Sequence, residues 1–338
     1  MRVLEQFKQE RRMKLDMKDK KILSLLSKNA RTPHTIIAKS VGLSRDSISY
    51  RIKNLVKNQI VQGYRTVINA NKLGYEAYHL FVQLSPPGKE AEKMLVEKFK
   101  SYPFTRTVLR FSGKYDYEFA IIAKNIREFD KNLRTILEDC TEYLQDYEVL
   151  IITDYYTENF FPRSFLIAKD TELARNKEIN EITKVDKKDL DILQIIADNA
   201  LIQLYAIANK VNISADAVNY RIKKLMATGI IKKFIPVINY SALGYSNYAF
   251  MLNIKGLTDK KEAKLKQILS TDKNILWAVK TIGRYNVLMY VCVPNTEELH
   301  KTMMNLRAHF PGELNNYETL IAYEEYKFTY FPECIRLE

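Results

Sequence analysis

The chain repeats itself once at a constant offset of 170 residues, which obliges it to fold as a pair of related units. Asp16 aligns with Asp186, Tyr50-Arg51-Ile52-Lys53 with Tyr220-Arg221-Ile222-Lys223, Leu73-Gly74-Tyr75 with Leu243-Gly244-Tyr245, and Phe161-Pro162 with Phe331-Pro332. No insertion or deletion interrupts the match, and residues 16–78 share 25 of 63 positions with 186–248. Solenoid units repeat every roughly 20–50 residues, so this longer period describes a duplicated multi-domain protein. Any function must suit a molecule with two related heads.

At 338 residues the chain exceeds one core and suits two to four domains of roughly 100–200 residues each. Its formal charge of +13 and pI of 9.3 favour a polyanionic partner, nucleic acid before membrane. Cys140, Cys292 and Cys334 form no Cys-x-x-Cys pair, and His34, His79, His300 and His309 are scattered, so neither a disulfide framework nor a metal site is expected, nor any cofactor. No apolar stretch reaches the roughly 18 residues of a membrane span, and the charged start lacks a signal peptide's apolar core. The expectation is a cytoplasmic protein without membrane association.

Each unit opens with helical periodicity. Ile22, Leu23, Leu25 and Leu26 mark one face of a first helix, and a second follows Pro33. Val41-Gly42-Leu43 makes a tight corner, and Ser44 is a natural N-cap for a third helix. There Ile48, Ile52 and Leu55 face inward, while Arg45, Ser47, Ser49, Tyr50, Arg51, Lys53 and Asn54 lie outward. Short polar and long cationic side chains near a helix amino terminus suit entry into the DNA major groove, although a charged outer face is often only solvated. Ile60-Val61 and Tyr64 to Ile68 alternate like the two strands of a wing, completing a winged helix.

The second head keeps Ser214, Val218, Ile222 and Leu225 and presents Asn219, Tyr220, Arg221, Lys223 and Lys224, but replaces Arg45 by Ala215 and Ser47 by Ala217. Residues 16–62 hold ten Lys/Arg against three Asp/Glu, a net of +7, whereas 186–232 hold seven against five, a net of +2. Phosphate neutralisation supplies much of duplex affinity, so the first head is expected to dominate.

After each head the order strand-helix-strand-strand-helix-strand describes a ferredoxin-like sandwich, with Tyr78–Leu84, Lys89–Tyr102, Thr105–Phe111, Tyr117–Ala123, Ile126–Cys140 and Tyr147–Thr153 in the first copy. Both helices cover one face of the sheet, and the other copy is the expected cover for the bare face. The fold class is therefore α+β: two copies of a winged helix-turn-helix followed by a ferredoxin-like (βαββαβ) domain, forming an intramolecular pseudo-dimer. The expected divisions are a basic amino-terminal segment 1–15, heads at 16–72 and 186–242, ferredoxin-like domains at 73–168 and 243–338, and a charged linker 169–185.

The motifs Asp16 to Asp19, Asn29-Ala30-Arg31 and Gly113-Lys114-Tyr115-Asp116, set in this order of elements, resemble the Lrp/AsnC (feast/famine) transcription regulators over nearly the whole chain, taken twice. The resemblance implies sequence-specific binding to double-stranded DNA and a small effector such as an amino acid. By position it implies effector contacts at Gly113, Tyr115 and Asp116 and at Gly283, Tyr285 and Asn286, although turn chemistry alone explains these residue types. It also implies further assembly, leaving a homodimer or higher oligomer open. In the second copy Leu201 stands for Arg31 and Asn286 for Asp116. Siroheme decarboxylases resemble the same family and make an enzyme the alternative. Their chemistry calls for His and Arg converging in a sheet-domain cleft, and His79 and His300 have no counterpart in the other copy. A ligand-sensing or assembly protein without DNA binding is the third reading; Arg45, Arg51 and Lys53 argue against it.

Overall fold

The computed structural model describes residues 15–163 and 182–336; segment 1–14 and all but the end of the expected linker lie outside them. Each head is a three-helix unit: α1 (Met17–Lys28), α2 (His34–Val41) and α3 (Arg45–Lys57) in the first, α6 (Lys187–Ala197), α7 (Leu204–Val211) and α8 (Ala215–Ala227) in the second. The α2–α3 corner takes left-handed backbone at Gly42, and Asn212 adopts the same conformation in the copy at φ 55°, as an asparagine can.

No head has the expected two-stranded wing. Residues 61–68 form one strand, β1 (Val61–Ile68), which pairs antiparallel with its counterpart β6 (Ile231–Ile238), Arg65 facing Ile235. Val61 packs with the first head's core and Val67 and Ile68 with the second's, so the ribbon ties the heads together. The amides of Ala30 and Ala200 donate to Phe234 and Tyr64 of the opposite strands at 2.8 and 3.0 Å. Arg31 donates to the Ala200 carbonyl at 2.7 Å and lies 4.0 Å from the Phe234 ring centre, which makes Asn29-Ala30-Arg31 a clasp between heads. Alternation reports a half-buried strand but not which strand it pairs with.

The sheet domains comprise β2 (Glu76–Leu84), α4 (Lys89–Ser101), β3 (Thr105–Ser112), β4 (Tyr117–Ala123), α5 (Ile126–Asp139) and β5 (Leu144–Glu158), then β7 (Ser246–Ile254), α9 (Asp259–Thr271), β8 (Ile275–Ile282), β9 (Val287–Val293), α10 (Thr296–His309) and β10 (Leu314–Phe328). The eight strands close in the order β10-β3-β4-β2-β5-β8-β9-β7, with β7 pairing back on β10. The bare faces meet as expected, burying Phe81, Phe111 and Leu150 of one copy with Met251, Leu288 and Leu320 of the other. β5 runs to Glu158, past the expected Thr153, because its far end leaves its own sheet to pair with β8; β10 crosses to β3 in the same way. Two seams thus join the halves.

Candidate nucleic-acid interface and central cavity

The outer face of α3 starts from its cap. Ser44 Oγ accepts from the Ser47 amide at 3.1 Å, fixing the first turn, and Ser214 does the same for Ala217. Ser49 Oγ is 2.8 Å from His34 Nδ1, which ties α3 to α2. Ser44, Arg45 and Lys53 are exposed, Ser47 and Asn54 half-buried, and Tyr50 is 66% exposed. On α8, Tyr220 is 69% exposed, Lys223 and Lys224 are exposed and Asn219 is half-buried. Among the described residues Arg45, Lys53, Lys223 and Lys224 carry no ion pair, so these cations remain available to an anion.

Arg51 and Arg221, expected among the DNA contacts, are each held by two carboxylates of their own head. Arg51 donates to Asp16 and Asp19 at 2.8 and 2.7 Å, and Arg221 reaches Asp186 and Asp189 at 2.8 and 2.7 Å. Each carboxylate pair is also the capping box of the head's first helix. The Asp19 amide, with Arg51 adding, holds the Asp16 carboxyl below its ordinary value. With its guanidinium charge committed to two carboxylates, Arg51 is a strut that fixes α3 against α1. Arg51→Ala is expected to lower head stability by about 1–2 kcal/mol, read as an earlier thermal transition, with little change in the salt slope of duplex binding. A flattened slope with unchanged stability would restore the phosphate contact.

The expected effector positions lie at the seams between the two copies. Tyr115 and Tyr285 are 0% exposed inside the barrel core. A Cβ on Gly113 would lie 3.0 Å from the Thr319 carbonyl, and one on Gly283 would lie 2.6 Å from that of Val149, so each hairpin seats on the opposite copy's long strand. Asp116 accepts from the Leu84 amide at 2.7 Å and Asn286 from that of Ile254 at 3.0 Å. These six residues close the two halves together and line no described cavity.

The residues that do line one were not singled out by motif. A cavity of about 230 Å³ lies between the β1–β6 ribbon and the barrel. Arg65, Arg106, His79, Glu118, Tyr290 and Glu325 converge on it, so histidine and arginine meet without matched histidines in the two copies. Glu118 accepts from Tyr290 and is held by His79 Nδ1. Arg65 lies 3.7 Å from both Glu325 and Asp198, too far for hydrogen bonds. Burial pushes the Glu325 carboxyl up to about 7, with Arg65 pulling the other way. The available signal was an acid inside an apolar strand, as in Tyr117-Glu118-Phe119, where the copy has Leu288.

Two capped helix-turn-helix heads joined by a strand ribbon, over a barrel of two βαββαβ sheets, define a fused pair of DNA-reading units. A family model for an AsnC-type helix-turn-helix domain matches residues 15–56, and one for a winged helix-turn-helix DNA-binding domain matches 185–232. The HTH-type transcriptional regulator LrpA of Pyrococcus abyssi is 39% identical over 111 residues, 33% of this chain and 77% of that protein. The regulatory protein AsnC of Haemophilus influenzae is 29% identical over 137 residues, 40% of this chain and 90% of that protein. The chain belongs to the Lrp/AsnC family of helix-turn-helix transcription regulators. The siroheme decarboxylase NirDL, crystallised with an iron-uroporphyrin III analogue, matches 94% of this chain and 96% of its own length with TM-score 0.62 at 15% identity, which shows a shared two-copy fold. No helix among the described residues is long and apolar enough to cross a membrane.

Proposed function

We propose that this chain binds double-stranded DNA sequence-specifically as a self-contained pseudo-dimer and regulates transcription, with α3 as the principal reader and α8 assisting. The observation that carries this is the exposed set Arg45, Tyr50 and Lys53, without ion pairs among the described residues, around a serine-capped helix and standing clear of the core that holds Ile48, Ile52 and Leu55. Ser44 and Asn54 would sit toward base edges, Arg45 and Lys53 on phosphates, and Asn219, Tyr220, Lys223 and Lys224 would supply the weaker half. The ribbon and the Arg31 clasp support a fixed spacing between the heads. A single chain would act in the cytoplasm, where the nucleic acid is, and carry out no chemistry of its own.

The likeness to siroheme decarboxylase extends to the fold, but the central cavity holds a single histidine, His79, tied to Glu118, and sets the carboxylates of Glu118, Glu158 and Glu325 against two arginines, a lining that disfavours an anionic tetrapyrrole. Side-by-side titrations separate the readings. Duplex DNA is expected to bind with steep salt dependence, while siroheme under reducing conditions is expected to give no bound-chromophore absorbance band. A saturable band without duplex binding would reverse the assignment.

A further inference from the structure

Corresponding residues of the two copies line the central cavity together, Arg65 with Ile235, Arg106 with Leu276 and Thr107 with Trp277. In a dimer of identical chains each wall group would occur twice. Here the copies have diverged, and the acid–base pair Arg65 and Glu325 occurs once, since the matching positions hold Ile235 and Tyr155. The β5–β8 seam contributes Leu276 and Trp277 instead.

The lining favours a neutral ligand. A bound anion would meet the three carboxylates of Glu118, Glu158 and Glu325, and a bound cation would meet Arg65 and Arg106. Glu118 is already held by His79 and Tyr290, and Glu158 is met by Lys232 at 3.5 Å. Glu325 is not satisfied in this way. Its Oε1 accepts no hydrogen bond, and Arg65 Nη1 stays 3.7 Å from it, with side chains only 12% and 8% exposed for Arg65 and Glu325. A guanidinium donor and a carboxylate acceptor thus lie side by side at the cavity, close but not joined. A buried acceptor left unmet costs stability unless a donor enters to meet it. The group that complements both is planar and uncharged, with an acceptor beside a donor, as in a primary carboxamide.

We propose that the central cavity binds one small aromatic carboxamide per chain, its carbonyl accepting from Arg65, its N–H donating to Glu325 Oε1 and its ring lying against Leu276 and Trp277. Both hydrogen bonds involve a charged protein group, which makes them the stronger kind, and the apolar walls replace the hydration of the ring. The site does not depend on whether the heads bind DNA.

Trp277, the chain's single tryptophan, lines the cavity and reports on it directly. Benzamide titrated into the full chain is expected to change tryptophan emission saturably, and calorimetry of the wild-type chain provides a readout that needs neither a variant nor a chromophore. Acetophenone, in which a methyl group replaces the amide nitrogen, and benzoate, which has no donor and adds a charge, should each bind at least tenfold more weakly, about 1.4 kcal/mol. Glu325→Leu should lower benzamide affinity at least tenfold and leave acetophenone unchanged, whereas Glu325→Gln, which keeps an acceptor oxygen, should bind benzamide nearly as well as the wild type. The thermal transition of each variant shows whether it is folded. Benzamide binding no tighter than acetophenone or benzoate, a folded Glu325→Leu chain that binds benzamide like the wild type, a folded Glu325→Gln chain as weak as Glu325→Leu, or no saturable benzamide signal through the millimolar range overturns the proposal.

Discussion

Replacing Arg45 and Lys53 together by alanine is expected to flatten the logarithmic salt dependence of duplex binding by about two units, since each neutralised phosphate contributes roughly 0.9 to the slope. Both side chains are exposed and carry no ion pair among the described residues, so neither removal disturbs the fold. The matching loss of Lys223 and Lys224 should flatten the slope by less than one unit, because that head starts from a net of +2 where the first has +7. Anisotropy of a labelled duplex across a salt series measures both. An equal or larger effect from the second head would overturn the ranking of the heads.

The second large effect concerns Glu325. A carboxyl whose folded value is about 7 against an ordinary 4.5 favours folding in its protonated form. That contribution is fully present below pH 4.5 and lost as pH rises through 7. Glu325→Gln removes the titration, so the variant should match the wild type near pH 4 and exceed it at pH 8 by up to about 3 kcal/mol. Thermal unfolding at the two pH values is the measurement. A variant less stable than the wild type at pH 8, and closer to it near pH 4, would mean that Glu325 serves as an ionised partner of Arg65.

Much of this architecture is legible in the residues because local chemistry determines it. Ser44 caps the helix expected of it, and Ile48, Ile52 and Leu55 turn inward as their spacing requires. What a strand pairs with is not local. The alternation of Tyr64 to Ile68 is the same for a wing and for a ribbon between heads, and nothing in Tyr147 to Glu158 announces that the strand will leave one sheet for another. Arg51 reads as a phosphate contact by position on its helix, yet Asp16 and Asp19, more than thirty residues earlier, claim it. The cavity's asymmetry is visible in the sequence only as two of many differences between the copies, Arg65 against Ile235 and Arg106 against Leu276.

The most direct test of a pseudo-dimer that reads DNA unequally with its two heads is hydroxyl-radical footprinting of the full chain on a duplex selected from a random pool. One chain should protect two patches on one face about one helical turn apart, ~10 base pairs, within an asymmetric sequence, and Arg45→Ala with Lys53→Ala should erase the stronger patch. A single chain settled on a perfect palindrome with equal patches, or protection indifferent to the α3 changes, would contradict the account.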